Sequence, residues 1–176
     1  MTLFLCGFMG CGKTALGRVL AEQLQMPLVD MDAEIVRQTG MTIPEIFEQN
    51  GEEAFRRLES NMIRTLSQRT GIVSCGGGAM VNPVNAVIVQ QYKGIIIYLQ
   101  QSFEVCYERI RNDKNRPLVQ RHTKEELQQL FEERERWYQI NATYSVLAGN
   151  TPEESAERVI KILKKWSPAF LPKEEV

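Results

Sequence analysis

The sequence has little of what metal centres and secreted scaffolds need. It contains a single histidine, His122, and its four cysteines (Cys6, Cys11, Cys75 and Cys106) include no Cys-x-x-Cys pair, so we expect no zinc site. The cysteines are expected to be reduced thiols. No apolar run approaches the about 20 residues of a membrane span, and the N-terminus does not resemble a signal peptide. These absences predict a cytoplasmic protein.

Net charge is also nearly absent. The 21 basic residues almost balance the 22 acidic ones, so no general field attracts nucleic acid or an anionic membrane. We therefore expect small-molecule partners, a local arrangement for any bound anion, and a monomer. At 176 residues the chain fits one domain.

The most informative motif is Gly-Phe-Met-Gly-Cys-Gly-Lys-Thr at Gly7 to Thr14, directly after the apolar run Leu3 to Cys6. The pattern G-x-x-x-x-G-K-[ST] is typical of a phosphate-binding loop, in which glycines let backbone amides converge on phosphate oxygens. Lys13 would reach the β- and γ-phosphates, and the Thr14 hydroxyl would ligate Mg²⁺. A glycine turn with an exposed lysine is the alternative. The motif predicts a site for a nucleoside triphosphate.

Short apolar runs alternate with longer helical patterns along the chain, which predicts βαβ units. We expect an α/β fold with three αβα layers and a five-stranded parallel sheet, each strand buried on both faces. The five runs are Leu3 to Cys6, Pro27 to Val29, Ile72 to Cys75, Ile95 to Leu99 and Tyr144 to Ala148. Thr42 and Thr151 are predicted helix N-caps.

Two stretches interrupt this alternation within a single domain spanning 1–176. A helical stretch from Glu45 to Gln68 predicts a substrate-binding insertion over about 33–62, and the polar segment Asn112 to Thr123 predicts a lid over about 112–123. Residues 167–176 are expected to form a loosely ordered tail.

Two carboxylates follow the second predicted strand, in Asp30-Met31-Asp32. Extended geometry would aim both side chains the same way, toward the carboxyl edge of the sheet where ligands collect. One acid would serve Mg²⁺ through water, and the other would orient an alcohol or take its proton. The alternative is that Asp32 only caps the helical pattern starting at Ala33.

The triplet Gly76 to Gly78 follows the third predicted strand. It lets backbone approach a ligand closely, although a flexible turn is the ordinary interpretation of such a triplet. Ser74, on the preceding strand, could contact the water shell of a metal or simply bond to backbone.

Two arginines are candidates for an anionic ligand. In the predicted helix Lys124 to Ile140, Arg134 shares the apolar stripe of Leu127, Leu130, Phe131 and Tyr138. A guanidinium on an inward face needs an anionic partner, either a structural glutamate or a ligand carboxylate.

Arg56 and Glu59 lie one turn apart beside a second stripe, where a surface ion pair is the alternative to a clamp that Arg56 would form with Arg134. In the polar segment, Lys114-Asn115-Arg116-Pro117 offers an arginine that could close over phosphates or remain ordinary solvated charge.

Taken together, the sequence resembles the shikimate kinase family over almost the whole chain. The motifs that resemble it, in order, are Gly-Phe-Met-Gly-x-Gly-Lys, Asp-x-Asp, Phe-Arg-x-x-Glu (55–59), Gly-Gly-Gly (76–78), Arg-Pro-Leu (116–118) and Arg-x-x-x-Tyr (134–138). The resemblance implies a P-loop fold like that of nucleoside monophosphate kinases. It implies transfer of the ATP γ-phosphoryl group to the 3-hydroxyl of shikimate, a step toward chorismate and the aromatic amino acids.

The resemblance also implies roles for individual residues. The implied catalytic residues are Lys13, Asp32 and Arg116. The implied substrate ligands are Asp32, Arg56, Gly77, Gly78 and Arg134, and the metal would be held near Thr14 and Asp30. With the phosphate-loop motif, it implies a nucleotide site of Gly10, Cys11, Gly12, Lys13, Thr14, Ala15, Arg109, Arg116 and Pro152.

The chain departs from the family where Arg136 replaces the usual proline, which leaves two arginines as candidates for the inward position; the stripe favours Arg134. Another small-molecule kinase is a rival, but a gluconate kinase typically has a histidine soon after its acidic motif. A nucleotide kinase should not need two arginines around one acceptor carboxylate. A non-catalytic nucleotide switch is the rival of another class.

Overall fold

The computed structural model describes residues 1–113 and 117–166. Helices and strands alternate as the sequence predicts. In chain order they are β1 (Thr2–Cys6), α1 (Lys13–Gln23), β2 (Leu28–Asp30), α2 (Met31–Thr39), α3 (Ile43–Ser67), β3 (Gly71–Ser74), a 3₁₀ turn (Ala79–Val81), α4 (Pro83–Gln91), β4 (Ile95–Gln100), α5 (Phe103–Ile110), α6 (Pro117–Arg121), α7 (Lys124–Asn141), β5 (Tyr144–Leu147) and α8 (Pro152–Trp166).

The five strands form one parallel sheet in the order β2-β3-β1-β4-β5. β1 lies at the centre, where Phe4 pairs with Val73 on one side and Ile96 on the other. α1 packs against α8 on one face, and α4 and α7 contact β4 on the other. The predicted three-layer fold is confirmed, and all strands end at the same edge, where the phosphate loop begins.

The expectation that every strand is buried on both faces is wrong for β2 and β5. They are the edge strands of the sheet, and Asp30, Ser145 and Leu147 are exposed on them. A strand with one neighbour leaves part of its backbone and side chains facing water. β1, β3 and β4, the three inner strands, are buried almost throughout.

Helix starts follow the capping residues of the sequence. The Thr42 hydroxyl accepts from the Glu45 amide while the Glu45 carboxylate accepts from the Thr42 amide, a capping box. The amide of Glu154 donates to the Thr151 hydroxyl in the same way. Both predicted N-caps are confirmed, which fixes where the elements flanking the site begin.

The predicted insertion of 33–62 comprises most of α2 and the first part of α3. α3 is kinked at Gly51, whose φ of 80° and ψ of 169° are not helical. The predicted lid of 112–123 contains α6, but residues 114–116 lie outside the described residues, as does the predicted tail of 167–176. No helix in the described part of the chain is long and apolar enough to span a bilayer.

Candidate active site

A cavity of about 440 Å³ lies at the carboxyl edge of the sheet. Its lining brings together residues from the phosphate loop, the β2–α2 junction, the loop after β3 and the start of α8. Among the predicted site residues, the lining includes Gly10, Cys11, Gly12, Lys13, Thr14, Ala15, Asp30, Asp32, Gly77, Arg109 and Pro152. Sequence motifs that lie up to about 140 residues apart therefore meet at one site.

The phosphate loop presents unpaired backbone donors to this cavity. Gly12 caps α1 with a φ of 107°, and the first helical bond runs from the Leu16 amide to the Gly12 carbonyl at 3.0 Å. The amides of Lys13, Thr14 and Ala15 therefore have no carbonyl partner within the helix. Together with the helix dipole, they make the start of α1 an anion-binding site.

Packing beneath the loop explains two of its small residues. Gly10 has a φ of 81°, and a Cβ there would lie 2.7 Å from the Cys106 carbonyl oxygen, so glycine is required. Cys11 is 2% exposed, as expected for a small residue filling the loop. The Lys13 ammonium donates to the carbonyls of Gly7 at 2.8 Å and Phe8 at 3.0 Å, which hold its charge beside the amides of α1.

Arg109 and Pro152 lie at the other end of the cavity. The Arg109 guanidinium, on α5, donates to the Gly10 carbonyl at 3.0 Å, and its side chain is largely exposed. Pro152 is the first residue of α8, directly after Thr151. Both residues line the cavity together with the phosphate loop.

The geometry predicted for Asp30 and Asp32 is wrong in one respect. The strand ends at Asp30, and α2 begins at Met31, so the pair is not extended. Asp30 is the N-cap, accepting from the Ala33 amide at 3.1 Å, whereas the sequence alternative assigned the cap to Asp32. Asp32 lies in the first turn of α2, and both carboxylates nevertheless line the cavity.

The three glycines after β3 each contact a different charged side chain. A Cβ at Gly76 would lie 2.6 Å from Oδ1 of Asp32, and one at Gly77 would lie 3.3 Å from Nη1 of Arg134. A Cβ at Gly78 would overlap the Arg56 guanidinium. The triplet therefore makes room for side chains of the protein itself, which the sequence interpretation of ligand approach or a flexible turn did not foresee.

Arg56 is held by two acids of its own helix. Its Nη1 lies 2.6 Å from Glu59 and its Nη2 3.0 Å from Glu52, and its guanidinium packs over the Phe55 ring. The ion pair of the sequence alternative is therefore present, but Glu59 is 1% exposed, so its place at the surface was wrong. Burial raises the pKa of Glu59, although Arg56 opposes this shift.

Glu59 is a residue whose place in the site the sequence interpretation missed. Asp32 and Arg134 both lie close enough to influence its pKa, so four charged groups meet here. Asp32 lines the cavity, whereas Arg56, Glu59 and Arg134 lie outside its lining. The available signal was its spacing, since Glu59 follows the buried Phe55 by four residues and lies on the same helical face.

Arg134 points inward and Arg136 does not. Arg134 is half-buried against Gly77, whereas Arg136 is exposed and borders a surface groove on the outer face of α7. Among the described residues, no carboxylate forms an ion pair with Arg134. The inward position that the stripe predicted for Arg134 is therefore present, and its role toward an acidic ligand stays a prediction.

Two further predicted groups concern the metal and the lid. Thr14, Asp30 and Ser74 line the cavity on the phosphate-loop side; a hydroxyl and a carboxylate there suit Mg²⁺, which prefers oxygen ligands and keeps several waters. Arg116 lies outside the described residues.

Comparison with known proteins agrees with this geometry. The family model for shikimate kinase matches residues 9–164. The chain is 43% identical over 169 residues to the shikimate kinase of Aromatoleum aromaticum, covering 94% of this chain and 96% of that protein.

Solved structures agree in fold. A shikimate kinase from Acinetobacter baumannii in complex with shikimate superposes with a TM-score of 0.82 at 37% identity, covering 94% of this chain and 92% of that one. A gluconokinase from Sinorhizobium meliloti, at 16% identity and a TM-score of 0.63 over 96% and 94% of the two chains, shares the fold alone. The chain belongs to the shikimate kinase family.

Proposed function

We propose that different groups around the cavity bind ATP, bind shikimate and align its hydroxyl, so that the γ-phosphoryl group of ATP is transferred to the 3-hydroxyl of shikimate. As a member of its family, the protein is an ATP-dependent phosphotransferase that uses Mg²⁺ and acts on shikimate. The observation that supports this assignment of roles is the glycine triplet, whose three residues lie against Asp32, Arg134 and Arg56 in turn, while Asp32, Gly76 and Gly77 line the same cavity as the phosphate loop.

The phosphate loop binds the triphosphate of ATP. The amides at the start of α1 donate to phosphate oxygens, and Lys13 compensates charge on the β- and γ-phosphates. Thr14 and Asp30 would hold Mg²⁺, which would offset charge on the transferring phosphoryl group. Arg109 and Pro152 flank the adenine base.

The acceptor side binds shikimate through its carboxylate. Arg134 supplies the main attraction, because its half-buried charge has no ion pair among the described residues, and a charge-assisted bond to a carboxylate is strong. Arg56 completes the clamp, but two glutamates already compensate part of its charge. Gly77 and Gly78 contact the substrate ring between the two guanidiniums.

Asp32 aligns the acceptor hydroxyl for in-line attack. It accepts the hydroxyl proton as the oxygen bonds to the γ-phosphorus and the bond to ADP breaks. Lys13 offsets the charge that moves onto the phosphate oxygens. Arg116 adds to this from the lid of 112–123, which closes over the nucleotide.

The remaining proposals concern the oligomeric state, the domain organisation and the cellular compartment of the protein. The protein is a monomer with one kinase domain over 1–176, and the insertion of 33–62, which contains Arg56, forms its acceptor side. Four free cysteines, all buried, support the cytoplasm as the compartment.

One assay tests the function. ADP release is followed with Mg-ATP and, in parallel, shikimate, gluconate and nucleoside monophosphates as acceptors. We expect turnover with shikimate alone. Turnover with gluconate or a nucleotide instead would support a rival kinase, and tight ATP retention without turnover on any acceptor would support a nucleotide switch.

A further inference from the structure

Tyr138 lies deep in the acceptor side of the site, one helical turn after Arg134 on α7. It is 1% exposed, and its hydroxyl donates a hydrogen bond to the carbonyl of Gly77. Burial raises the pKa of Tyr138 well above its ordinary value, so the hydroxyl keeps its proton and remains a donor at every pH at which the protein would be assayed.

Tyr138 and Arg134 act on the same residue of the glycine triplet. The point where a Cβ of Gly77 would lie is 3.3 Å from Nη1 of Arg134 and 4.0 Å from the Tyr138 hydroxyl. The two side chains, four residues apart on one helix, are therefore neighbours, and Gly77 is held between them. The flanking glycines contact Asp32 and Arg56.

We propose that Tyr138 is a positioning residue that fixes the glycine triplet and thereby sets the spacing between Arg134 and Asp32. The carbonyls of Gly76 and Gly78 accept from the backbone amides of Ala79 and Val81, both at 3.2 Å. The middle carbonyl, that of Gly77, accepts from Tyr138, so this side chain ties the centre of the triplet to α7. The inference rests on the proposed function, since it concerns how the acceptor clamp is assembled. Tyr138 touches none of the reacting atoms in this scheme, and its influence falls on acceptor binding and alignment.

A purely structural role is the competing explanation, because the Tyr138 ring also packs in the core. Its centroid lies 5.2 Å from that of Tyr98, which is equally buried. The Tyr98 hydroxyl donates to Glu135 at 3.2 Å and does not reach the triplet. Tyr98→Phe therefore removes one buried hydroxyl from the same cluster and serves as the matched control for Tyr138→Phe.

The test compares steady-state kinetics and urea unfolding of both variants in the full chain. For Tyr138→Phe we expect the KM for shikimate to rise about 3- to 10-fold, the size expected from one net hydrogen bond, with the KM for ATP unchanged. For Tyr98→Phe we expect both values unchanged. Equal changes in both KM values, unchanged kinetics in Tyr138→Phe, or the same loss of shikimate affinity in both variants would overturn the inference.

A second variant separates this inference from the proposed function. Arg134→Lys keeps the charge and alters the fork that binds a carboxylate. If Tyr138 acts through the same clamp, combining Tyr138→Phe with Arg134→Lys should raise the KM for shikimate by less than the product of the two single increases. An increase equal to that product would overturn the positioning role. If Arg134→Lys and Arg134→Ala both leave shikimate binding unchanged, the proposed function itself fails, whatever Tyr138→Phe does.

Discussion

The Glu59 carboxylate lies 2.6 Å from Nη1 of Arg56 while only 1% of Glu59 is exposed. The pair is thus a buried element of the acceptor side, and Glu52 holds the other nitrogen of the same guanidinium at 3.0 Å. Pinning Arg56 in this way restricts its rotamers before any ligand arrives. The cost is the burial of the Glu59 carboxylate away from water, which raises its pKa.

Glu59→Gln tests this cost through the pH dependence of stability. Because burial raises the pKa of Glu59 above the ordinary 4.5, the folded protein keeps this proton to higher pH than the unfolded chain. The contribution of Glu59 to the free energy of unfolding is therefore largest below about pH 4.5 and falls as pH rises through the folded pKa. Urea unfolding from pH 4.5 to 7.5 should show the wild-type value falling relative to that of Glu59→Gln.

Glu34→Gln is the control of opposite sign. Hydrogen bonding to Arg37 lowers the pKa of Glu34 to about 2, so its contribution is present above the unfolded pKa and lost as pH falls from about 4.5 toward 2. Over pH 4.5 to 7.5 the difference between wild type and Glu34→Gln should stay flat. A flat difference for Glu59→Gln as well would contradict the raised pKa.

Much of the fold could be predicted because alternating apolar runs and capping residues are local signals. The five strands and the start of α3 at Thr42 depend on residues within a few positions of each other. The direction of the Asp32 side chain was harder to predict, because an extended Asp30-Met31-Asp32 requires the strand to continue to Asp32, whereas β2 ends at Asp30. A pattern of three residues does not reveal a boundary shift of two residues.

The site shows the same division. Arg134 could be placed inward because a helical stripe has a fixed period. The contact between Gly76 and Asp32 could not be predicted, because it brings the loop after β3 against α2 and depends on the pairing of β2 with β3 in the sheet. The burial of Glu59 could not be predicted either, since it depends on neighbours distant in sequence, and a surface ion pair remained an alternative for it.

Arg134→Ala should weaken acceptor binding selectively. The change removes a charge-assisted pair worth about 1.5–3 kcal/mol, so we expect the KM for shikimate to rise about 10- to 100-fold and the KM for ATP to stay within about twofold. Arg136→Ala, two residues along the same helix and exposed, should leave both unchanged. Equal effects of the two substitutions would rule out a specific clamp.

Thr14→Ala should raise the Mg²⁺ requirement. Loss of a group from around a bound metal costs about 10- to 100-fold in metal affinity, so we expect half-maximal activity at correspondingly higher free Mg²⁺. Thr14→Ser keeps the hydroxyl and should behave like wild type. The proposed ligand role is excluded if titration with Mg²⁺ at saturating ATP gives one curve for all three proteins.

Asp32→Asn should abolish most turnover while sparing nucleotide binding. The amide keeps the shape of the carboxylate but cannot take a proton, and general base catalysis contributes about 10²- to 10⁴-fold. We expect kcat to fall by that factor, with the ATP dissociation constant unchanged in a fluorescence titration. A kcat within threefold of wild type would show that Asp32 does not act on the acceptor proton.

Gly76→Ala should reproduce part of the fall in kcat expected for Asp32→Asn, although it does not change the chemistry of any reacting group. A Cβ at Gly76 would lie 2.6 Å from Oδ1 of Asp32, so the carboxylate must move, and a displacement of about 1 Å can cost about 100-fold in rate. Gly77→Ala is the matched comparison: its Cβ meets the flexible end of Arg134 at 3.3 Å and should raise the KM for shikimate instead. Neither glycine has a positive φ, so alanine strains no backbone at either position. A fall in kcat confined to Gly76→Ala is expected only if Asp32 packs against the first glycine of the triplet and Arg134 against the second.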